Sequence, residues 1–170
     1  LIMIQTMDSG EYIFKDDDVT NIKVNDSSKY RKNNIGIILQ SAGLVKDMTV
    51  YENLKIAVNY TGNKLSKDQA IKFLEQVDLT KEYLNKFPYQ ISGGEQQRIG
   101  IIRSLVNDKE VILADELTAS LDTKTKDVVL DYLFKLMEDK TLIIATHDVS
   151  VANRCDKILY LREGVLNEKN

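Results

Sequence analysis

Short apolar runs alternate along this chain with apolar stripes at helical spacing. Ile35-Gly36-Ile37-Ile38-Leu39, Val111-Ile112-Leu113-Ala114 and Thr141-Leu142-Ile143-Ile144-Ala145-Thr146 are brief and almost wholly apolar, the pattern of strands buried on both faces. Between them, Ala70, Ile71, Leu74 and Val77 recur three to four residues apart, as do Ile99, Ile102 and Leu105, and then Val128, Val129, Tyr132, Leu133 and Leu136. These stripes predict amphipathic helices with core-facing sides. Thr49 with Glu52 and Ser66 with Gln69 predict two helix starts of the capping-box kind. A helix is expected from Glu95 to Val106 and another from about Thr123 to Glu138, and residues 157 to 166 read as two short strands turning at Glu163-Gly164. Asp16 to Asn34, carrying Ser27-Ser28 and Asn33-Asn34, reads as a polar connection. Strands separated by helices predict an α/β fold.

Composition narrows the class. The 170 residues are 43% hydrophobic and 29% charged, enough for one core and short for two. A net charge of -3, from 23 basic and 26 acidic residues, supplies no electrostatic footprint for nucleic acid. The lone Cys155 excludes an internal disulfide and suits a reducing compartment. No apolar run approaches the roughly 18 residues that span a bilayer, so membrane contact is expected to come through a partner chain.

The candidate chemistry sits where these elements begin and end. Ile91-Ser92-Gly93-Gly94-Glu95-Gln96-Gln97-Arg98 opens a helix with a serine and two glycines. Backbone N–H groups there lack intrahelical partners, the helix dipole adds positive charge, and glycine lets an anion approach the main chain. Ser92 with Glu95 is equally a capping box, which many helices use merely to start. The run ending in Asp115-Glu116 places two carboxylates at the carboxyl end of a strand, where open α/β sheets bind ligands and an aspartate commonly serves magnesium; the alternative is a strand running into an acidic turn. The Thr141–Thr146 run delivers the only histidine, His147, followed by Asp148, and the Ile35–Leu39 run hands over to Gln40. A lone histidine is more often structural than catalytic, but its place at a strand end beside an anion site favours chemistry.

With those residues in this order, the chain resembles the nucleotide-binding domain of ABC-type ATPases over nearly its whole length. Gln40 matches the family's Q-loop glutamine, ISGGEQQR its signature motif, VILADE its Walker B strand, Ser120-Leu121-Asp122 its D-loop and His147 its switch histidine. Thr49-Val50-Tyr51-Glu52-Asn53 and Phe87-Pro88-Tyr89-Gln90 resemble bacterial members of the lipoprotein-release, macrolide-export and antimicrobial-peptide-resistance type. The resemblance implies a P-loop NTPase-like (RecA-like) sheet lobe with an inserted α-helical subdomain: core lobe over 1–41, helical signature subdomain over 42–98, core lobe again over 99–170. It implies ATP and Mg²⁺, with Asp115 and Gln40 at the metal, and Glu116 as general base with His147 and Gln40 as its catalytic companions. Ser92, Gly93, Gly94, Glu95 and Asp122 would touch nucleotide held by a second ABC ATPase subunit, in a homo- or heterodimer. Further partners would be membrane-spanning transporter subunits, no nucleic acid, and a cytoplasmic station on the inner face of the membrane.

Departures from the family pattern are part of the expectation. The phosphate loop GxxxxGK[ST] occurs nowhere in these residues. The resemblance places it upstream of residue 1, with Leu1 to Met7 ending the helix that follows it and Asp8 to Phe14 forming the next turn and strand. The chain is thus expected to be N-terminally truncated and to bind ATP negligibly on its own side. Alternatives are a non-hydrolysing degenerate subunit that lends its signature to an intact partner, and an ABC-type regulator of cell-envelope machinery. Leu117 stands where the family has proline, which is expected to loosen the turn after the carboxylate. Glu95 stands where many members have glutamine.

Overall fold

A computed structural model describes residues 7–168. Its centre is a three-stranded parallel sheet of β3 (Ile35–Ile38), β4 (Val111–Asp115) and β5 (Thr141–Ala145), in that spatial order. Parallel neighbours need long crossovers. The β3–β4 crossover carries α2 (Val50–Tyr60), α3 (Lys67–Glu75) and α4 (Gly93–Leu105), and the β4–β5 crossover is α5 (Thr123–Leu136). Ile38 pairs with Ala114, and Asp115 with Ala145, so the three carboxyl ends lie side by side. Two-stranded antiparallel pairs flank the sheet in sequence: β1 (Ile13–Phe14) with β2 (Asp17–Asp18), and β6 (Leu159–Arg162) with β7 (Val165–Glu168). Glu163 and Gly164, with φ of 49° and 79°, turn the second pair; positive φ at both central residues is the twist a two-residue hairpin needs.

Both capping boxes form. Thr49 Oγ1 accepts from the Glu52 N–H and the Glu52 carboxylate accepts from the Thr49 N–H; Ser66 and Gln69 repeat the exchange at α3. Asn53, fully buried, accepts from the Val45 N–H and donates to the carbonyls of Val45, Met48 and Thr49, which fastens the incoming loop to α2. Helix α4 is enclosed almost all round: Ile99, Ile101 and Ile102 are fully buried and Leu105 nearly so. It packs on β3 and on α2 and α3, whose Leu54, Val58, Ala70 and Leu74 join the same core. Helix α5 adds Val129, Leu130 and Leu133. On the other side of the sheet, Phe14, Val19 and Ile35 form a smaller cluster, with Phe14 edge-on to Tyr30 at 6.4 Å between ring centroids.

Three expectations are corrected or bounded here. The polar connection from Asp16 to Asn34 contains a helix, α1 (Val24–Asn34), lying before β3. It carries no apolar stripe and its N-cap Lys23 makes no side-chain cap, so neither periodicity nor capping announced it. β5 is less buried than its apolar sequence suggests, with Ile143 40% exposed, because only β4 pairs with it among the described residues. The helix end expected over Leu1 to Met7 falls on residues outside those described, apart from Met7. α6 (Val149–Ala152), a single turn capped by Asp148, was not foreseen. Among the described residues no helix is long and apolar enough to cross a membrane.

Candidate functional site

The register of the central sheet brings the predicted residues to one edge. Gln40 lies two residues beyond Ile38 and Glu116 two beyond Ala114, while His147 lies two beyond Ala145. Strands about 4.8 Å apart therefore set Gln40, Asp115-Glu116 and His147 along roughly 10 Å of one sheet end. The starts of α5 and α6 open beside these strand ends, with Thr123 and Asp148 next to Glu116 and His147.

Glu116 and His147 are in direct contact. Imidazole Nδ1 lies 2.7 Å from Glu116 Oε1, and the His147 backbone N–H donates to the same oxygen at 3.0 Å. Glu116 also donates its own N–H to Ala145 O at 3.0 Å, so the exits of β4 and β5 are laced together through one residue. Its φ of 46° is unusual for a side chain of this size and places the carboxylate over the β5 exit. The Glu116 side chain is 24% exposed and that of His147 85% exposed. A polar cleft of about 230 Å³ opens beside them, lined by Thr118, Leu121, Thr123, Lys126 and Asp148 as well as this pair. Asp115 and Gln40 are exposed, and no hydrogen bond or ion pair among the described residues engages either side chain.

The turn after Glu116 is firmer than the loss of proline suggested. Leu117 is buried, the Ala119 N–H donates to Glu116 O, and the Leu117 carbonyl accepts from Gln97 Nε2 at 3.3 Å. The same Gln97 amide donates to Leu39 O at 3.1 Å. One buried side chain on α4 thus holds both the residue before Gln40 and the residue after Glu116. Arg103, two turns further along α4, donates to Ala42 O and Gly43 O, and Gly100 lies so close to Ala42 that an added Cβ would stand 2.8 Å from its carbonyl oxygen.

At the start of α4 the cap and the bare N-terminus coexist. Ser92 Oγ accepts from the Glu95 N–H, and Glu95 Oε2 accepts from the Ser92 N–H at 2.7 Å. The N–H groups of Gly93 and Gly94, first and second in the helix, have no intrahelical acceptor by helix geometry, and nothing stands within 4 Å of a Cβ built on Gly93. Glu95 is engaged inwardly: the Tyr83 hydroxyl donates to its Oε1, and that bond is the main reason its carboxyl is held below the usual range. Gly94 approaches Ser120 O and Leu121 within its own chain. Asp122 serves as N-cap of α5, accepting from the Thr125 N–H at 3.1 Å, and hydrogen bonds from the Thr125 side chain and then its backbone hold the carboxyl low.

Sequence reasoning missed Gln97, Tyr83 and Lys126. Lys126 donates to Asp148 at 3.0 Å and Ser150 at 2.9 Å, tying α5 to the cap of α6 next to His147. One signal was present, Lys126 being a cation near a helix N-terminus, where the dipole disfavours one; Gln97, flanked by Glu95, Gln96 and Arg98, carried none. A single carboxylate, Asp115, with the Gln40 amide nearby suits a magnesium ion, which takes few protein ligands and completes its shell with water and phosphate. No cluster of three or more His, Cys, Asp or Glu fit to hold a metal occurs among the described residues.

Comparison with known proteins gives the geometry its setting. Residues 1–119 match the ABC transporter family. The lipoprotein-releasing system ATP-binding protein LolD of Treponema denticola is 37% identical over 169 residues, which cover 97% of this chain and 74% of that protein. A methionine import ATP-binding protein, MetN 1 of Bacillus anthracis, is 34% identical over 171 residues, covering 98% of this chain and 49% of that one, so the chain spans about half of that relative's length. A dimeric, post-hydrolysis structure of the ATP-binding cassette MJ0796 bound to ADP and Pi superposes with a TM-score of 0.88 at 30% identity, over 99% of this chain and 76% of the cassette. The chain therefore belongs to the ABC transporter family of ATP-binding proteins, with the α/β fold of its nucleotide-binding cassette and the family's ATPase chemistry.

Proposed function

We propose that the protein containing this chain hydrolyses ATP between two such subunits and uses the cycle to drive release or export through separate membrane-spanning subunits. The observation that carries the reading is the Glu116–His147 pair at one end of three adjacent parallel strands, level with Gln40 and beside Asp115. Phosphoryl transfer needs positioning and neutralisation of charge more than covalent chemistry. Glu116 is the general base that orients and polarises the attacking water, and His147, released from Glu116, contacts the terminal phosphate. Asp115 and Gln40 hold Mg²⁺, which when bound neutralises phosphate charge, and Gln40 links that site to the helices between β3 and β4. Gln97 and Arg103 support the link, because both bond the backbone around Gln40 from α4.

The N-terminus of α4, with Ser92, Gly93, Gly94 and Glu95, is assigned to nucleotide held by the opposite subunit, with Asp122 at the same junction. The dimeric state of the similar cassette supports this. Release or export is favoured over import by the Thr49–Asn53 and Phe87–Gln90 segments and by the likeness to the lipoprotein-releasing relative. The subunit is peripheral to the membrane through its partners. In the full-length protein, Glu116→Gln lowers ATP turnover about 10²- to 10⁴-fold, the range of a lost general base, without loss of ATP affinity. Unchanged turnover would remove Glu116 from the mechanism.

A further inference from the structure

We propose that Tyr83 is a positioning residue for phosphate binding at the α4 N-terminus: its hydroxyl holds the Glu95 carboxylate against the turn carrying Tyr83, so the charge caps the helix without confronting the phosphate. The inference rests on the reading of that N-terminus as the nucleotide-facing end. Glu95 lies at the third position of α4, within one turn of Gly93 and Gly94. A carboxylate there assists the helix dipole, yet repels an anion docking on the same N–H groups. The structure resolves the conflict by using both of its oxygens. Oε2 accepts from the Ser92 N–H at 2.7 Å, and Oε1 accepts from the Tyr83 hydroxyl.

Tyr83 is itself held. It sits in a 3₁₀ turn, Lys81–Asn85, packed on α2 and α3, and Lys86 Nζ stands 4.0 Å from its ring centroid. The Arg98 cation, on the next turn of α4, also favours the ionised carboxyl, and its buried Nε has no hydrogen-bond partner. Without the hydroxyl, Glu95 keeps only the Ser92 anchor, and its second oxygen turns toward solvent and the incoming phosphate.

The test is a double-mutant cycle in the full-length protein, with Tyr83→Phe, Glu95→Gln and both together, measuring KM and kcat for ATP at two salt concentrations. Tyr83→Phe is expected to raise KM about 3- to 10-fold at low salt with kcat within about twofold, and the penalty shrinks at high salt because repulsion is screened. In the Glu95→Gln background, Tyr83→Phe should change KM by less than about twofold. A KM unmoved by Tyr83→Phe overturns the proposal, and so does a penalty of equal size in both backgrounds, the mark of a purely structural tyrosine. Thermal melts of all four proteins identify a variant that fails to fold; should Tyr83→Phe do so, Glu95→Asp, whose shorter arm cannot reach Tyr83 and the Ser92 N–H together, replaces it and should raise KM with the same salt dependence, and an unmoved KM overturns the proposal. A wild-type protein that turns over ATP without associating defeats the assignment of α4 itself, a result distinct from either outcome of the cycle.

Discussion

At the residue scale the site depends on a few side chains that each hold two pieces of backbone. Glu116 accepts from the His147 N–H and imidazole while its own N–H reaches Ala145, in a left-handed conformation that only its surroundings sustain. Asp148, next to His147, is bonded by Ser150 and by Lys126, and these bonds hold its carboxyl far below the ordinary range. A carboxyl depressed on folding stabilises the native state fully above its unfolded value near 3.8, and that contribution is lost as pH falls through the folded value. Thermal melts should therefore lose stability between about pH 5 and pH 2, and Asp148→Asn should flatten that part of the curve. An unaltered pH dependence would show that the Lys126–Asp148 bond contributes nothing in solution. His147 and the Asp115-Glu116 pair were legible in the sequence because strand ends concentrate chemistry in α/β sheets. Lys126 was not, because its partners Asp148 and Ser150 are far away along the chain.

Among elements, α4 does most of the positioning. Its apolar residues bury it between β3 and the helices α2 and α3, and its polar Gln97 spans the exits of β3 and β4. Gln97→Leu leaves the Leu117 carbonyl without that donor in a buried place, and the Leu39 carbonyl without it in a partly buried one, at a cost of about 1–3 kcal/mol. Denaturant melts should report that loss, and turnover should fall with it because Gln40 and Glu116 lose their common tether; full activity at full stability would refute the role. The capping boxes at Thr49, Ser66 and Ser92 were readable because each is a local exchange between residues three apart. Helix α1 was not, because it is polar apart from Val24 and Tyr30 and its ordering comes from packing beside β3, which local sequence does not encode. The bland and the chemical readings of Ser92–Glu95 proved compatible, since a cap uses the N–H of the third residue and leaves those of both glycines.

Taken whole, the molecule offers two surfaces of opposite chemistry: carboxylates, histidine and glutamine at the strand ends, and bare N–H groups at the start of α4. If, as proposed, one triphosphate is shared by these surfaces on two facing subunits, the strength of that association should follow ATP. The fold was legible from the alternation of apolar runs and helical stripes; a pairing between copies was not, because a contact of that kind leaves no periodicity in the sequence of one chain. The decisive measurement is the mass of the full-length Glu116→Gln protein by light scattering with and without ATP and Mg²⁺. The account predicts a monomer without nucleotide and a doubled mass at saturating ATP, reverting when ATP is removed. A protein that binds ATP and stays monomeric throughout would contradict it.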